Sequence, residues 1–253
     1  PGAAVALDAA SYGLSALLLR GIRPPGGAWL RGAGGSFLAD LRGGWAEFSG
    51  RTWLWVMVCE FALFNMLVFG PFEVLGSQIA HHSLGGAGTW SAILAAFGLG
   101  QIAGAVLALA WPARRPLLAV ALLLLGWIPL LVLLAAAAPL PLIIAAAAVT
   151  GIGWLLLDAI WEATLQTQIP AGRLSRVSSY DWLGATALMP FGFLLAVPVG
   201  AALGTGTALL LSALVVVLLS SAALAIPAVR RMSRPTQEPG RRGDPVPVHA
   251  TAA

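Results

Sequence analysis

Apolar residues run along this chain in long, almost unbroken stretches, without the period of two of a half-buried strand or the polar face of a surface helix. Read through a window of about 19 residues, the stretches fall at about 1–19, 53–77, 89–110, 117–137, 141–165, 181–203 and 207–228. Each approaches the roughly 20 residues with which an α-helix crosses about 30 Å of hydrocarbon. Only helices and closed barrels satisfy their backbone polar groups in lipid, and these runs are far too long for barrel strands. The pattern predicts an all-α fold, a polytopic membrane helix bundle of seven spans.

The polar positions between the spans add a direction. All 14 basic residues are arginines, at 20, 23, 31, 42 and 51, at 114 and 115, at 173 and 176, and at 230, 231, 234, 241 and 242. The connections around His81, Pro139 and Thr205 carry none. Short cytoplasmic loops retain Arg and Lys while translocated loops lack them. The four arginine-bearing stretches are therefore expected inside, with residue 1 outside and the C-terminus cytoplasmic. A multi-pass protein of the plasma (inner) membrane follows, with the lipid bilayer as its first partner.

The connections are unequal. Residues 20–52 form a Gly-, Pro- and Arg-rich linker in which Phe37, Leu38, Leu41, Trp45 and Phe48 recur at helical spacing, as in a cytoplasmic helix lying in the interface. Residues 53–228 form a six-span bundle, and 229–253 read as a disordered basic tail. The span 1–19 has no initiator Met or basic leader. The chain is accordingly expected to be the C-terminal part of a longer protein.

Composition excludes several function classes. With 59% apolar and 9% charged residues and a mean hydropathy of +0.89, the chain lies far from the roughly 25% charged of a soluble domain. The pI of about 10.5 does not imply nucleic acid, because the arginines flank apolar spans and form no basic face interleaved with aromatics. One cysteine, Cys59, provides neither a disulfide framework nor a thiolate metal site. No phosphate-cradling loop, dinucleotide fingerprint or paired-histidine motif occurs, so no enzyme activity, cofactor or metal is expected.

Polar residues inside the spans carry the candidate chemistry. Spans 117–137 and 207–228 have no ionisable residue and are expected to face lipid; the others hold Glu60 and Glu73, Gln101, Asp158 and Glu162, and Asp181. The order polar, polar, apolar occurs twice, from opposite sides of the membrane, as in the inverted repeats of secondary transporters. Glu60 lies about 10 Å into its span at ~1.5 Å per residue, where a carboxylate costs about 2.5–3.5 kcal/mol. It reads either as a proton-coupling group or as a structural hydrogen-bonding one. Gln101 lies near the midplane beside Gly100 and Gly104, a small-residue face for helix packing, with substrate contact the other reading. Asp158 and Glu162, four residues apart, share a helix face with Trp154 and Trp161 and are placed to relay a proton. Prolines 129, 190 and 198 mark bends.

Longer motifs carry a resemblance. Trp111, Pro112, Ala113, Arg114, Arg115 and Pro116 form a short basic loop between two spans. The run Trp161, Glu162, Ala163, Thr164, Leu165, Gln166, Thr167, Gln168, Ile169, Pro170 continues to Arg173, Arg176, Val177 and Ser178, and Asp40, Leu41, Arg42, Gly43, Gly44, Trp45 leads to Trp53. Over about residues 1–232 these features resemble the C-terminal half of the major facilitator superfamily, in its enterobactin-exporter-like and drug-efflux-like branch. The resemblance implies that 1–19 stands for that fold's sixth helix, with an N-terminal half as partner. It also implies that Asp158 and Glu162 pair with Arg114, Arg115, Arg173 or Arg176 to close a cytoplasmic gate, and that Asp181 joins the gate by meeting a basic loop of the N-terminal half. The implied function is secondary active transport, driven by a proton gradient, exporting small amphipathic or hydrophobic molecules. The alternative is a truncated, non-transporting membrane module or assembly partner.

Overall fold

The computed structural model describes residues 2–21, 44–111 and 113–232. All regular structure among them is helical. The chain divides into two units, Pro1–Gly43 and Gly44–Ala253. The first holds α1 (Gly2–Arg20), an uninterrupted helix over the first expected span. The second opens with a short helix α2 over 44–49. The rest of the expected interfacial helix, and the tail from 233, lie outside the described residues.

Six helices of the second unit are long and apolar enough to cross a membrane, as in a multi-pass membrane protein. They are α3 (Thr52–Ser83), α4 (Ala87–Ala110), α5 (Pro116–Ala135), α6 (Leu140–Gln168), α7 (Gly172–Leu203) and α8 (Thr205–Ala225), followed by a turn of helix, α9 (Pro227–Arg230). α3 outruns its expected end near 77 because Gln78, His81 and His82 continue the helix. It stops where Gly85 and Gly86 take φ of +103° and +104°, and Gly86 N–H bonds back to Ala80 O at 2.9 Å. This six-residue closure after a helix end needs the left-handed region that glycine enters without strain.

Proline shapes three of the helices, and side chains from neighbouring helices repair the damage. Pro71 has no N–H for the carbonyl of Leu67. α3 passes through a π-helical turn at Asn65–Phe69, and Ser212 Oγ of α8 donates to Leu67 O at 2.7 Å. α5 breaks between Leu124 and Trp127, four residues before and around the donor that Pro129 lacks. There Leu125 O, the carbonyl that Pro129 leaves, takes the N–H of Ile128 at 3.1 Å, and Thr150 Oγ1 of α6, 2.8 Å from Ala146 O of its own helix, also lies 3.0 Å from Gly126 O. α7 breaks between Thr186 and Met189, ahead of Pro190, and Asn65 Nδ2 donates to Ala185 O at 2.9 Å. Freed carbonyls in a bilayer have no water to turn to, so such donors come from adjacent helices. Pro198 lies inside the unbroken helix Met189–Leu203.

Two pairs of parallel helices organise the bundle. In α4 and α6 the backbones touch: a Cβ on Gly104 would lie 2.5 Å from Ile152 O, and one on Gly100 or Gly151 would overlap the carbonyls of Ala148 or Phe97. In α3 and α7, a Cβ on Gly70 would lie 2.7 Å from the Gly192 carbonyl carbon, and Val58 fills the space at Gly184. α5 packs on α8, α5 on α6, and α8 on α3. Exchanging α3 with α6, α4 with α7 and α5 with α8 maps these contacts onto one another, the relation expected of two inverted three-helix units.

The expectation that α5 and α8 face lipid is corrected. Their apolar windows are 44% and 39% buried, against 17% for both α4 and α7. α5 in particular buries Leu117, Leu124, Leu130, Leu131 and Leu134 completely. It also delivers Trp127, ringed by Phe64, Phe72, Phe97 and Trp154 at centroid distances of 5.2–5.6 Å. In lipid an apolar side chain gains little from choosing protein over bilayer, so the lack of charge permits either environment.

Candidate functional site

Three helices converge on a groove of about 170 Å³. α6 brings Trp154, Asp158, Trp161 and Glu162, whose spacings of four and seven residues put them on one face. α3 adds Phe61 and Asn65, one turn apart, and α7 adds Asp181, Trp182, Ala185 and Thr186. Asp158 precedes the end of α6 at Gln168 by ten residues, and Asp181 follows Ala171, at the start of α7's first stretch, by ten. At ~1.5 Å per residue both lie about 15 Å from the α6–α7 turn, so the two carboxylates share one level.

Trp161 fixes the inner wall. Its ring meets Phe61 edge-on at 5.2 Å and Trp53 at 6.0 Å, and its Nε1–H donates to Asp181 Oδ2 at 3.1 Å. Asp181 is only 4% exposed, and its Oδ1 has no hydrogen-bond partner. Asp158 is exposed and Glu162 half-buried on the open side. Trp182, 66% exposed, forms the outer lip. The groove thus joins three carboxylates to four aromatic rings, and among the described residues no basic side chain lines it.

The remaining sequence-derived candidates lie elsewhere. Glu60 precedes Phe61 but turns into the bundle, 5% exposed, with neither carboxyl oxygen partnered. Gln101 is half-buried on α4, outside the groove, while its neighbours Gly100 and Gly104 form the α4–α6 contact. Glu73 is half-buried in the second half of α3, within Gly70–Ser83. Arg114 and Arg115 are exposed and line, with Trp111 and Leu118, a separate open cleft of about 640 Å³ at the start of α5.

Arg173 is engaged by Glu47 of α2 rather than by Asp158 or Glu162. The reason is distance along the bundle: Arg173 sits in the first turn of α7, while Asp158 lies about 15 Å deeper. Glu47 also accepts from Arg51 Nε at 3.0 Å, and Arg51 NH1 donates to the terminal carbonyl of α6 at Gln168, 3.1 Å away. Hydrogen bonds from Arg51 and then Arg173 hold the Glu47 carboxyl below the usual carboxylate range. α2 is thereby clamped to the α6–α7 turn. Exposed Arg176 stands close by, its Cβ 3.3 Å from the position a Cβ on Gly44 would take.

Sequence reading missed Glu47, Asn65, Thr150 and Ser212. The signal for the last three was available: a proline in a membrane helix orphans a carbonyl, and an uncharged polar residue on another span is the natural donor. Glu47 carried no comparable signal. Comparison with protein-family models, curated proteins and solved structures finds no match to this chain.

Proposed function

We propose that the chain is a secondary active transporter that moves small amphipathic or hydrophobic molecules across the membrane by alternating access, coupled to protons. The observation that carries this reading is the exposure of Asp158 beside Glu162 and Asp181 on the groove, at membrane depth. A carboxylate facing hydrocarbon there costs about 2.5–3.5 kcal/mol, so three on one face belong to a water-filled path. The bends at Leu125–Gly126 and Ala187–Leu188 supply places where half-helices pivot. Glu60 is the proton carrier in this account. An unpartnered buried charge costs several kcal/mol, and taking up a proton removes it as the site leaves water.

Proteoliposomes holding the protein test this reading. With an imposed proton gradient, a panel of amphipathic compounds should include some whose accumulation dissipates the gradient, and Glu60→Gln should uncouple the two fluxes. Absence of any gradient-dependent flux overturns the proposal in favour of a non-transporting membrane module. Coupling that survives in Glu60→Gln removes Glu60 from the role.

A further inference from the structure

We infer that the groove between α3, α6 and α7 is a binding site for a small organic ammonium ion. This deepens the transport reading by naming the substrate class, and rests on that reading only for the statement that the bound ion is what moves.

Charge gives the sign of the ligand. Asp158 and Glu162 stand one helical turn apart, Asp181 closes the inner end, and among the described residues no basic side chain lines the space. Like charges held this close in a low-dielectric setting repel, and a cation between them relieves the repulsion. Asp181 adds a buried acceptor: Trp161 holds Oδ2, while Oδ1 is buried without a partner. Leaving such an atom unmade is costly unless a ligand or water meets it.

The walls give the chemistry. Phe61, Trp154, Trp161 and Trp182 surround the carboxylates, and aromatic faces attract organic cations. A bare metal ion would need oxygen ligands packed around one point, and among the described residues no three acidic, His or Cys side chains are so grouped. An alkylammonium ion is weakly hydrated at its carbon surface and spreads its charge over groups that touch rings. Size sets the limit: about 170 Å³ lies below the roughly 300–1,000 Å³ of sites for drug-sized ligands. The groove thus takes a compact cationic head, with any longer tail leaving past exposed Trp182.

The test uses purified full-length protein in detergent, choline as probe, and 3,3-dimethylbutan-1-ol, its neutral isostere, as control. Binding is followed by calorimetry and by the tryptophan fluorescence of the groove. Choline should bind saturably, and the isostere at least about 30-fold more weakly. Asp158→Asn and Trp182→Ala, both at exposed positions, should each weaken choline about tenfold with unchanged thermal melting. Glu73→Gln, distant from the groove, should leave it unaltered. Equal binding of choline and isostere, no binding of choline, or full binding by Asp158→Asn overturns the inference. Choline binding without any gradient-driven flux in proteoliposomes would sink the transport reading and leave the site standing. Gradient-driven flux of neutral compounds alone, without choline binding, would do the reverse.

Discussion

Adding one methyl group at Gly104 tests the architecture that positions the groove. The Cβ of Gly104→Ala would lie 2.5 Å from Ile152 O on α6. Ordinary contact needs about 3.4 Å, so α4 and α6 must separate by nearly 1 Å or shear along the seam that Gly100 and Gly151 also share. Both helices are held over several turns, and overpacking of this kind costs about 1–3 kcal/mol. The backbone carbonyl on the far side cannot swing away as a side chain would, which favours the upper half of that range. At about 2–4 °C per kcal/mol, the melting temperature should fall by about 4–12 °C. Gly98→Ala is the internal control: on the same helix, nothing lies within 4 Å of its Cβ, and alanine's better helix propensity is worth up to about 1 kcal/mol. Melting of the two purified variants, followed by circular dichroism or dye binding, should separate them in sign. If Gly104→Ala melts at or above Gly98→Ala, the parallel α4–α6 contact is wrong, and with it the placement of Asp158.

Other expectations are narrower. Ser212→Ala removes the donor that re-satisfies Leu67 O and should cost about 0.6–1.7 kcal/mol in stability, where Ser91→Ala, an exposed hydroxyl bonded within its own helix, costs nothing measurable. Trp161→Phe keeps the ring contacts with Phe61 but deprives Asp181 Oδ2 of its N–H, and thermal melting should fall by the equivalent of about 1–3 kcal/mol. The Glu47 clamp gives a pH dependence of defined sign. Its folded carboxyl titrates below the unfolded one because of Arg51 and Arg173. Its stabilisation is therefore complete above the ordinary carboxylate value of about 4.3 and is lost as pH falls through the lower folded value. Proteolysis of the chain around residue 50 should stay slow at pH 5 and quicken only in stronger acid, while Glu47→Gln should be cut quickly at both. Slow cleavage of Glu47→Gln at pH 5 would contradict the clamp.

The helices themselves were legible because a bilayer imposes length and composition together: four of the six expected spans from 53 onward reappear within three residues at both ends, while α3 runs on to Ser83 and α7 begins at Gly172, nine residues before 181. The side-to-side order of those helices was not. Hydropathy separates water from everything else, but protein and lipid look alike to Leu117 or Leu134, so the burial of α5 had no sequence signature. Asp158 and Glu162 were legible as a pair from their spacing on α6. Their meeting with Asp181 and Phe61 depends on α3 and α7 running parallel, a contact set by Gly70, Gly184 and Gly192. Which carboxylate took Arg173 was decided by depth along α7, which the arginine positions alone do not carry.

The central claim is that the groove of Asp158, Glu162 and Asp181 meets water inside the membrane. With Cys59 replaced by Ala, single cysteines at Asp158 and at Leu214, an exposed apolar position on α8, are introduced into protein reconstituted in lipid vesicles. They are then treated with a charged, membrane-impermeant thiol reagent admitted to both faces. The prediction is that Asp158→Cys is labelled rapidly, while Leu214→Cys stays unlabelled. Asp158→Cys as unreactive as Leu214→Cys would contradict it.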